Sequence, residues 1–306
     1  MKLGLALARV TRTNPLPKQA ILIVNTASRS GADAFEAARD KLSAAGIALL
    51  DARPIDEPER LGDEVAAAVP RAPMVILGGG DGSLSQSVEH FLGRDTVFAL
   101  LPLGTANSFA RTLEIPLDLD GAVAVIAGGE ARRIDVASVN GHHFLNNAAL
   151  GLAPLVAESV PDGLKRSLGR LGYLLWAGWS AASFKAFRLS VDDGEKVHRL
   201  WATEARIANG RFHGGIELIE SAELDSGEIV VQAVQGRSLL RLGWSYAASA
   251  FKLAARQEPL REFRGRKMRI DTRPHMRISI DGELGPQTPL EASVVPDAVV
   301  VAAPRS

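Results

Sequence analysis

Residues 74–83 read Met-Val-Ile-Leu-Gly-Gly-Gly-Asp-Gly-Ser: a short apolar run, then four glycines in five positions. An apolar run bounded by glycine is the pattern of a buried strand. A simple turn needs one or two glycines. Gly78, Gly79, Gly80 and Gly82 together let a backbone approach a bulky ligand and aim N–H groups into a concavity that suits an anion. A helix expected from about Leu84 adds its positive end. Asp81 would repel phosphate directly. It reads as a contact to a ribose hydroxyl, a metal ion or the backbone of a neighbouring loop.

The same form recurs on either side. Ala20–Val24 is an apolar run that opens into Asn25–Gly31, and Val97–Leu101 opens into Pro102–Asn107. Between these runs lie helical patterns. Ala32–Ala45 repeats apolar residues at Phe35, Ala38, Leu42 and Ala45 and stops at Gly46. Glu57–Val69 carries Pro58 in its first turn. Ile47–Ala52 reads as a further strand, and Leu84–Leu92 and the stretch after Asn107 as helices. Strands alternating with helices imply a parallel sheet covered on both faces, with the ligand outside the carboxyl ends of the strands. The loops at 25–31, 78–83 and 102–107 are then candidates for one site.

From about residue 132 the pattern changes. Ile134–Val139, Asn140-Gly141 and His142–Leu150 read as strand, two-residue turn and strand, and Asn-Gly is a strong hairpin signal. Leu189–Val191, Asp192-Asp193-Gly194 and Val197–Asn209 repeat the form, and Glu228–Val234, Lys267–Asp271 and Met276–Ile280 add strands. The expected organisation is an α/β domain over 1–131 and a mainly antiparallel β-sandwich over 132–306, with helical insertions. The last strand is free to return to the first domain.

The 306 residues are 46% hydrophobic and carry 35 basic and 35 acidic side chains, which excludes wholesale disorder and argues against a dedicated nucleic-acid binder. Zero cysteines exclude a disulfide framework, a thiolate metal site and a cysteine nucleophile. The balance hides an asymmetry: residues 1–130 hold 12 Lys/Arg against 16 Asp/Glu, and residues 131–306 hold 23 against 19. Arg237–Arg277 alone has 11 basic and 3 acidic residues, a block that suits a solvated face, phosphate groups or an anionic membrane surface. No Gly-Lys dipeptide, G-x-G-x-x-G or G-x-S-x-G occurs, so a Walker A loop, a dinucleotide fingerprint and a hydrolase elbow are absent. The six histidines show no metal-ligand spacing, and His142-His143 reads as an exposed pair after a turn. No stretch reaches 18 uncharged apolar residues, and Leu3–Ala8 is too short for a secretory core. The expected setting is cytoplasmic.

Four motifs in order carry a resemblance: Asn25–Gly31 (NTASRSG), Gly78–Ser83 (GGGDGS), Pro102–Arg111 (PLGTANSFAR) and Ile280–Glu283 (IDGE). Ile134-Asp135, Asn209-Gly210-Arg211 with Gly214-Gly215, and Thr288–Glu291 extend it over nearly the whole chain. The chain resembles the diacylglycerol kinase catalytic-domain family, lipid kinases that include ceramide and sphingosine kinases. The resemblance implies ATP in the cleft between two domains, held by Asn25, Ser28, Gly78, Gly79, Gly80, Gly82, Ser83, Gly104, Thr105 and Asn107. It implies catalytic roles for Asp81 and for Glu283, the latter as general base toward a lipid hydroxyl, with Mg²⁺. It also implies a structural Mg²⁺ near Asp225. The chain departs from the family pattern at Thr26, Arg29, Ser85-Gln86, Ser108 and Ser226, where the family commonly has other residues, acids among them.

Two apolar-aromatic stretches with basic flanks, Leu164–Phe187 and Leu239–Lys252, suit either packing on the sandwich or contact with lipid at a membrane surface. A kinase for a soluble acceptor and a catalytically weak nucleotide- or lipid-binding protein stand as alternatives. Nothing in the sequence fixes the lipid or the oligomeric state.

Overall fold

The computed structural model describes residues 14–27, 31–151, 186–236 and 260–305. Ser28, Arg29 and the two apolar-aromatic stretches, save Ala186 and Phe187, lie outside the described residues. No described helix is long and apolar enough to cross a membrane.

The first half alternates strand and helix: β1 (Asn14–Pro15), β2 (Gln19–Asn25), α1 (Gly31–Ala44), β3 (Ala48–Ile55), α2 (Leu61–Ala68), β4 (Met74–Gly79), α3 (Asp81–Ser87), β5 (Val97–Pro102), α4 (Ser108–Thr112) and α5 (Leu119–Gly128). β3, β2, β4 and β5 lie side by side in that order, all parallel. β4 and β5 are buried at every position, as expected of strands covered on both faces. α1 packs with α5 and α2 with α3. From β2 the chain goes to β3 on one side and then to β4 on the other. The carboxyl ends of β2 and β4 therefore flank a topological switch point, where α/β sheets bind ligands.

The second half contains β6 (Glu130–Val139), β7 (His142–Phe144), β8 (Asn147–Gly151), β9 (Phe187–Asp192), β10 (Val197–Ala208), β11 (Phe212–His213), β12 (Ile216–Glu217), β13 (Ile229–Gln235), β14 (Leu260–Gly265), β15 (Lys267–Arg273), β16 (Arg277–Ile280), β17 (Glu283–Gln287) and β18 (Leu290–Ala303). The pairs within this half are antiparallel, and the domain is a mostly antiparallel β-sandwich. Asn140 and Gly141 both take positive φ, 48° and 83°, as a two-residue turn between β6 and β7 requires.

Two expectations change. His142–Leu150 is not one strand: it breaks at Leu145-Asn146, so that β7 pairs β6 while β8 pairs β10 and β16. The helix after the glycine loop starts at Asp81, three residues earlier than its apolar pattern, because the Leu84 N–H already bonds the Gly80 carbonyl.

The two halves are joined by a ladder. β6 and β18 pair antiparallel from Glu130↔Ala303 to Val139↔Ala292, and the end of β18 also pairs parallel with β5. Ile134 and Val136 belong to the core of the first half, Ala137 and Val139 to that of the second. Ala298–Ala302 likewise lie in the first core, and Leu290 and Ala292 in the second. The register shifts between Val295 and Val299, and the buried Asp135 carboxylate fills the irregularity. It accepts the N–H of Asp297 at 2.9 Å and of Gly227 at 2.6 Å. Asp135→Asn keeps one acceptor and points an amide at the other donor. It is expected to cost roughly 2–3 kcal/mol, the worth of a charged hydrogen bond plus an unpaired buried donor. Urea unfolding checks this; a loss below about 0.5 kcal/mol, the size of an ordinary surface substitution, rejects the role.

Candidate active site

The glycine loop is built on close approach. A Cβ on Gly104 would stand 2.5 Å from the Gly80 Cα, so the loops after β4 and β5 touch backbone to backbone. Asn107 holds the second loop from inside. It sits buried at φ 48°, accepts the Gly104 N–H at 2.9 Å, and donates to the carbonyls of Pro102 and Gly104. Thr105 is exposed at the loop tip. Across the switch point Asn25 donates to the Ser83 hydroxyl at 3.0 Å and accepts the Ala27 N–H. Gly78, Gly79, Gly80, Ser83, Asn25, Gly104 and Asn107 thus form one connected rim, in which Gly82 differs. It is exposed, and a Cβ there would meet nothing within 4 Å.

Of the three roles open to Asp81, the structure adopts the backbone contact. Its carboxylate accepts the N–H groups of Ser108 and Phe109 at 2.9 and 3.0 Å, capping α4, and takes a longer bond from Asn146 of the second half. The second half answers at Ser108, whose hydroxyl accepts the Gly215 N–H at 3.1 Å.

The hairpin of β16 and β17 brings the other acids. Asp281 takes φ 46° and Gly282 φ 96°. The Asp281 carboxylate accepts the N–H groups of Leu145, Asn146 and Asn147, which explains the break between β7 and β8. Burial pushes its pKa up to about 6. Ser85 and the backbone donors oppose the rise, and the Asp81 charge reinforces it. Glu283, the first residue of β17, is exposed and accepts one hydrogen bond, from Gln86 on α3 at 3.2 Å. Gly82, Ser85, Gln86, Asp281 and Glu283 line one cavity of about 380 Å³, with His142 and His143 on its wall and Leu284 and Pro286 at its lip.

Sequence reasoning missed several members. Asp281 was visible only as a turn residue. His143 is not exposed but half-buried, and that burial lowers its pKa, whereas His142 is exposed as expected. His213 on β11 is pushed down to about 4 by burial, with Arg206 adding to the effect and Asp81 opposing it, so it is neutral at pH 7. Among the described residues the side-chain oxygens of buried Asn146, Asn147 and Asn209 accept no protein hydrogen bond, an unusual cost to concentrate in one place.

Asp225 stands apart from this cavity and pairs with Arg132 at 2.8 Å. Among the described residues no group of three or more His, Asp or Glu side chains could hold an ion.

Two family models match. The one described as the diacylglycerol kinase catalytic domain covers residues 19–139, and the one described as the YegS C-terminal NAD kinase beta sandwich-like domain covers residues 147–303. A protein named diacylglycerol kinase from Staphylococcus haemolyticus is 27% identical over 71% of this chain and 66% of its own length. One named "Probable lipid kinase YegS" from Salmonella newport is 36% identical over 61% of this chain and 62% of its own. In fold, a crystal structure of a diacylglycerol kinase from Bacillus anthracis matches with a TM-score of 0.73 at 19% identity, covering 94% of this chain and 97% of that one.

Two predictions separate packing from ligand contact and test the buried acid. Gly104→Ala is expected to lose about 1–3 kcal/mol in urea unfolding, as overpacking does. Gly82→Ala, in an open helical position, is expected to keep or slightly raise stability; equal losses at both positions would refute the distinction. Asp281 binds its proton more tightly folded than unfolded. Its contribution to stability is therefore fully present below about pH 4 and is lost as pH rises through about 6. Relative to Asp281→Asn, the parent should lose stability between pH 4 and 6; parallel curves would contradict the raised pKa.

Proposed function

This chain belongs to the diacylglycerol kinase catalytic-domain family, and from that membership we propose that it is a lipid kinase. It transfers the γ-phosphate of ATP, taken as the magnesium complex, to the hydroxyl of a lipid alcohol such as diacylglycerol. The observation that carries the reading is that Gly82, Glu283 and the exposed Leu284 border one cavity.

Phosphoryl transfer asks little covalent chemistry of a protein; it asks for positioning, charge neutralisation and one group that orients the attacking hydroxyl. In this reading the ATP phosphates lie on the rim of Gly78–Ser83 and Gly104–Asn107, against the open surface at Gly82. Asn25, Asn107 and Asp81 act by fixing that rim, since their side chains are already engaged in the bonds described. Magnesium arrives with the nucleotide, as it commonly does with phosphate substrates.

Glu283 is the acid best suited to take the hydroxyl proton. Asp281 is filled by three backbone donors and Asp81 by two, whereas Glu283 accepts a single bond from Gln86 and keeps free lone pairs toward the cavity. The alcohol oxygen attacks the γ-phosphorus as its proton passes to Glu283, and ADP leaves. Leu284, 53% exposed, and Pro286 give the acceptor's apolar body a surface beside the reacting hydroxyl, which favours a lipid over a polar acceptor.

Label from γ-labelled ATP, with Mg²⁺, is expected to enter the organic phase when the protein meets a lipid alcohol in mixed micelles. Glu283→Ala is expected to lose about 10²–10⁴ of turnover, the usual worth of a positioned base, while calorimetry finds nucleotide binding intact. Label in no lipid, with nucleotide bound, would sink the lipid reading. Unchanged turnover in the variant would sink the base.

A further inference from the structure

The outer face of the sheet formed by β10, β9 and β15 carries an arrangement that phosphoryl transfer does not use. Inward residues alternate with outward ones: Phe187, Leu189 and Val191 of β9 are core, while Arg188 faces solvent. The register puts Trp201, Arg188 and Arg273 on one outer rung and Arg199, Ser190 and Asp271 on the next. These six residues line a cavity of about 460 Å³. Arg188 stands over the Trp201 ring, 5.3 Å from its centroid.

The charges are unbalanced here. Arg188 and Arg273 are directly opposite each other in an antiparallel pair, a placement that destabilises a sheet. Among the described residues neither Arg199 nor Arg273 has an ion-pair partner, and Arg188 has only the indole. The one carboxylate in the lining, Asp271, lies 3.2 Å from the His275 ring. Two other basic groups on the same sheet are answered, Lys267 by Glu291 at 2.9 Å and Arg264 by Glu262 at 3.9 Å. Three guanidiniums converging on one pocket match the oxygens of a phosphate ester, which Arg binds through its planar fork. A tryptophan at the rim suits a membrane interface.

The neighbouring sequence favours a lipid as the source of that phosphate. Ala202, next to Trp201, pairs with both Phe187 and Gln235, and the Gly236 N–H donates to the Trp201 carbonyl. The ends of β9 and β13 therefore meet at this pocket. The stretches adjoining them in sequence, 152–185 and 237–259, contain Trp176, Trp179, Trp244, Tyr246 and Phe251 with several Lys and Arg. The pocket lies roughly 25 Å along β10 from Ala208, the end of the strand that pairs with Asn147, at about 3.3 Å per residue.

We infer that Arg188, Arg199 and Arg273, with Trp201, form a pocket for the phosphate of an acidic phospholipid headgroup. It anchors the second domain to an anionic leaflet and is separate from the catalytic cavity.

The test uses the full chain without nucleotide, so it does not depend on the transfer reaction. Co-sedimentation with phosphatidylcholine vesicles is compared with and without phosphatidylglycerol. Anionic binding is expected to fall about fivefold for each charge removed, ~100-fold for Arg188→Gln/Arg199→Gln/Arg273→Gln together. Weak binding to neutral vesicles stays unchanged. Removing Lys267 and Arg264 instead, already paired with glutamates, is expected to change little. The triple variant keeps its thermal midpoint and its activity in detergent micelles. Four results overturn the inference: unchanged anionic binding in the triple variant; an equal loss per charge in the Lys267/Arg264 control; inorganic phosphate bound through the three arginines while vesicle binding is indifferent to them; or an oligonucleotide captured through them in place of vesicles.

Discussion

The ladder between β6 and β18 is the constraint on which the rest of the molecule depends. Each strand begins in one hydrophobic core and ends in the other, so the chain passes between the halves as paired backbone. A flexible linker would leave the two halves free to rotate. A continuous ladder fixes their angle, and with it the distance from the glycine rim to the β16–β17 hairpin. The one irregularity in the ladder, between Val295 and Val299, is where the Asp135 carboxylate supplies the acceptors that the strand pairing leaves out. A buried carboxylate with two backbone donors is a costly device. Its place at the junction makes sense because an error there would be carried into the site.

Within the site, polar side chains divide by whether their lone pairs are spent. Asp81 caps α4, Asp281 caps the turn between β7 and β8, and Asn107 closes its own loop. All three stand in motifs that look chemical in the sequence. In the structure each tethers backbone: Asp81 and Asp281 link segments far apart in sequence, and Asn107 holds its own loop. Glu283 is the contrast: it is exposed, and Gln86 supplies a single neutral donor. A carboxylate at position 86 would have faced Glu283 with like charge. The amide instead orients it without adding charge.

Much of this was legible in the sequence. The strand-helix alternation through residue 112 rests on local periodicity and local punctuation by glycine and proline, and those signals travel with the chain. The Asn140-Gly141 hairpin was legible for the same reason. Most of what could not be read depends on distant partners. The break at Leu145-Asn146 is imposed by a carboxylate at position 281, and a window around residue 145 sees only a good strand. The start of α3 at Asp81 precedes any apolar periodicity. His143 turns into a cavity wall whose other side is built from β17. For the break and for His143 the deciding atoms arrive from another part of the fold, whereas the start of α3 turns on the local bond from the Leu84 N–H to the Gly80 carbonyl.

The glycine motif shows why such strings overstate ligand contact. Of the glycines at 78, 79, 80 and 82, three are crowded by the protein itself: a Cβ at Gly79 would collide with Ser83, one at Gly78 would press on Val24 and Leu103, and one at Gly80 on Gly104. Only at Gly82 is the space beyond the Cα open. Both kinds of glycine serve the same end by different physics. The first three let two strand-end loops and a helix start converge more tightly than any side chain would permit, which creates the concavity. The fourth leaves the concavity unfilled. Removing a packing glycine would damage the fold and the site together, whereas filling the open one would alter the site alone. A motif that mixes the two cannot be parsed by composition, because what distinguishes its members is the atom each would collide with.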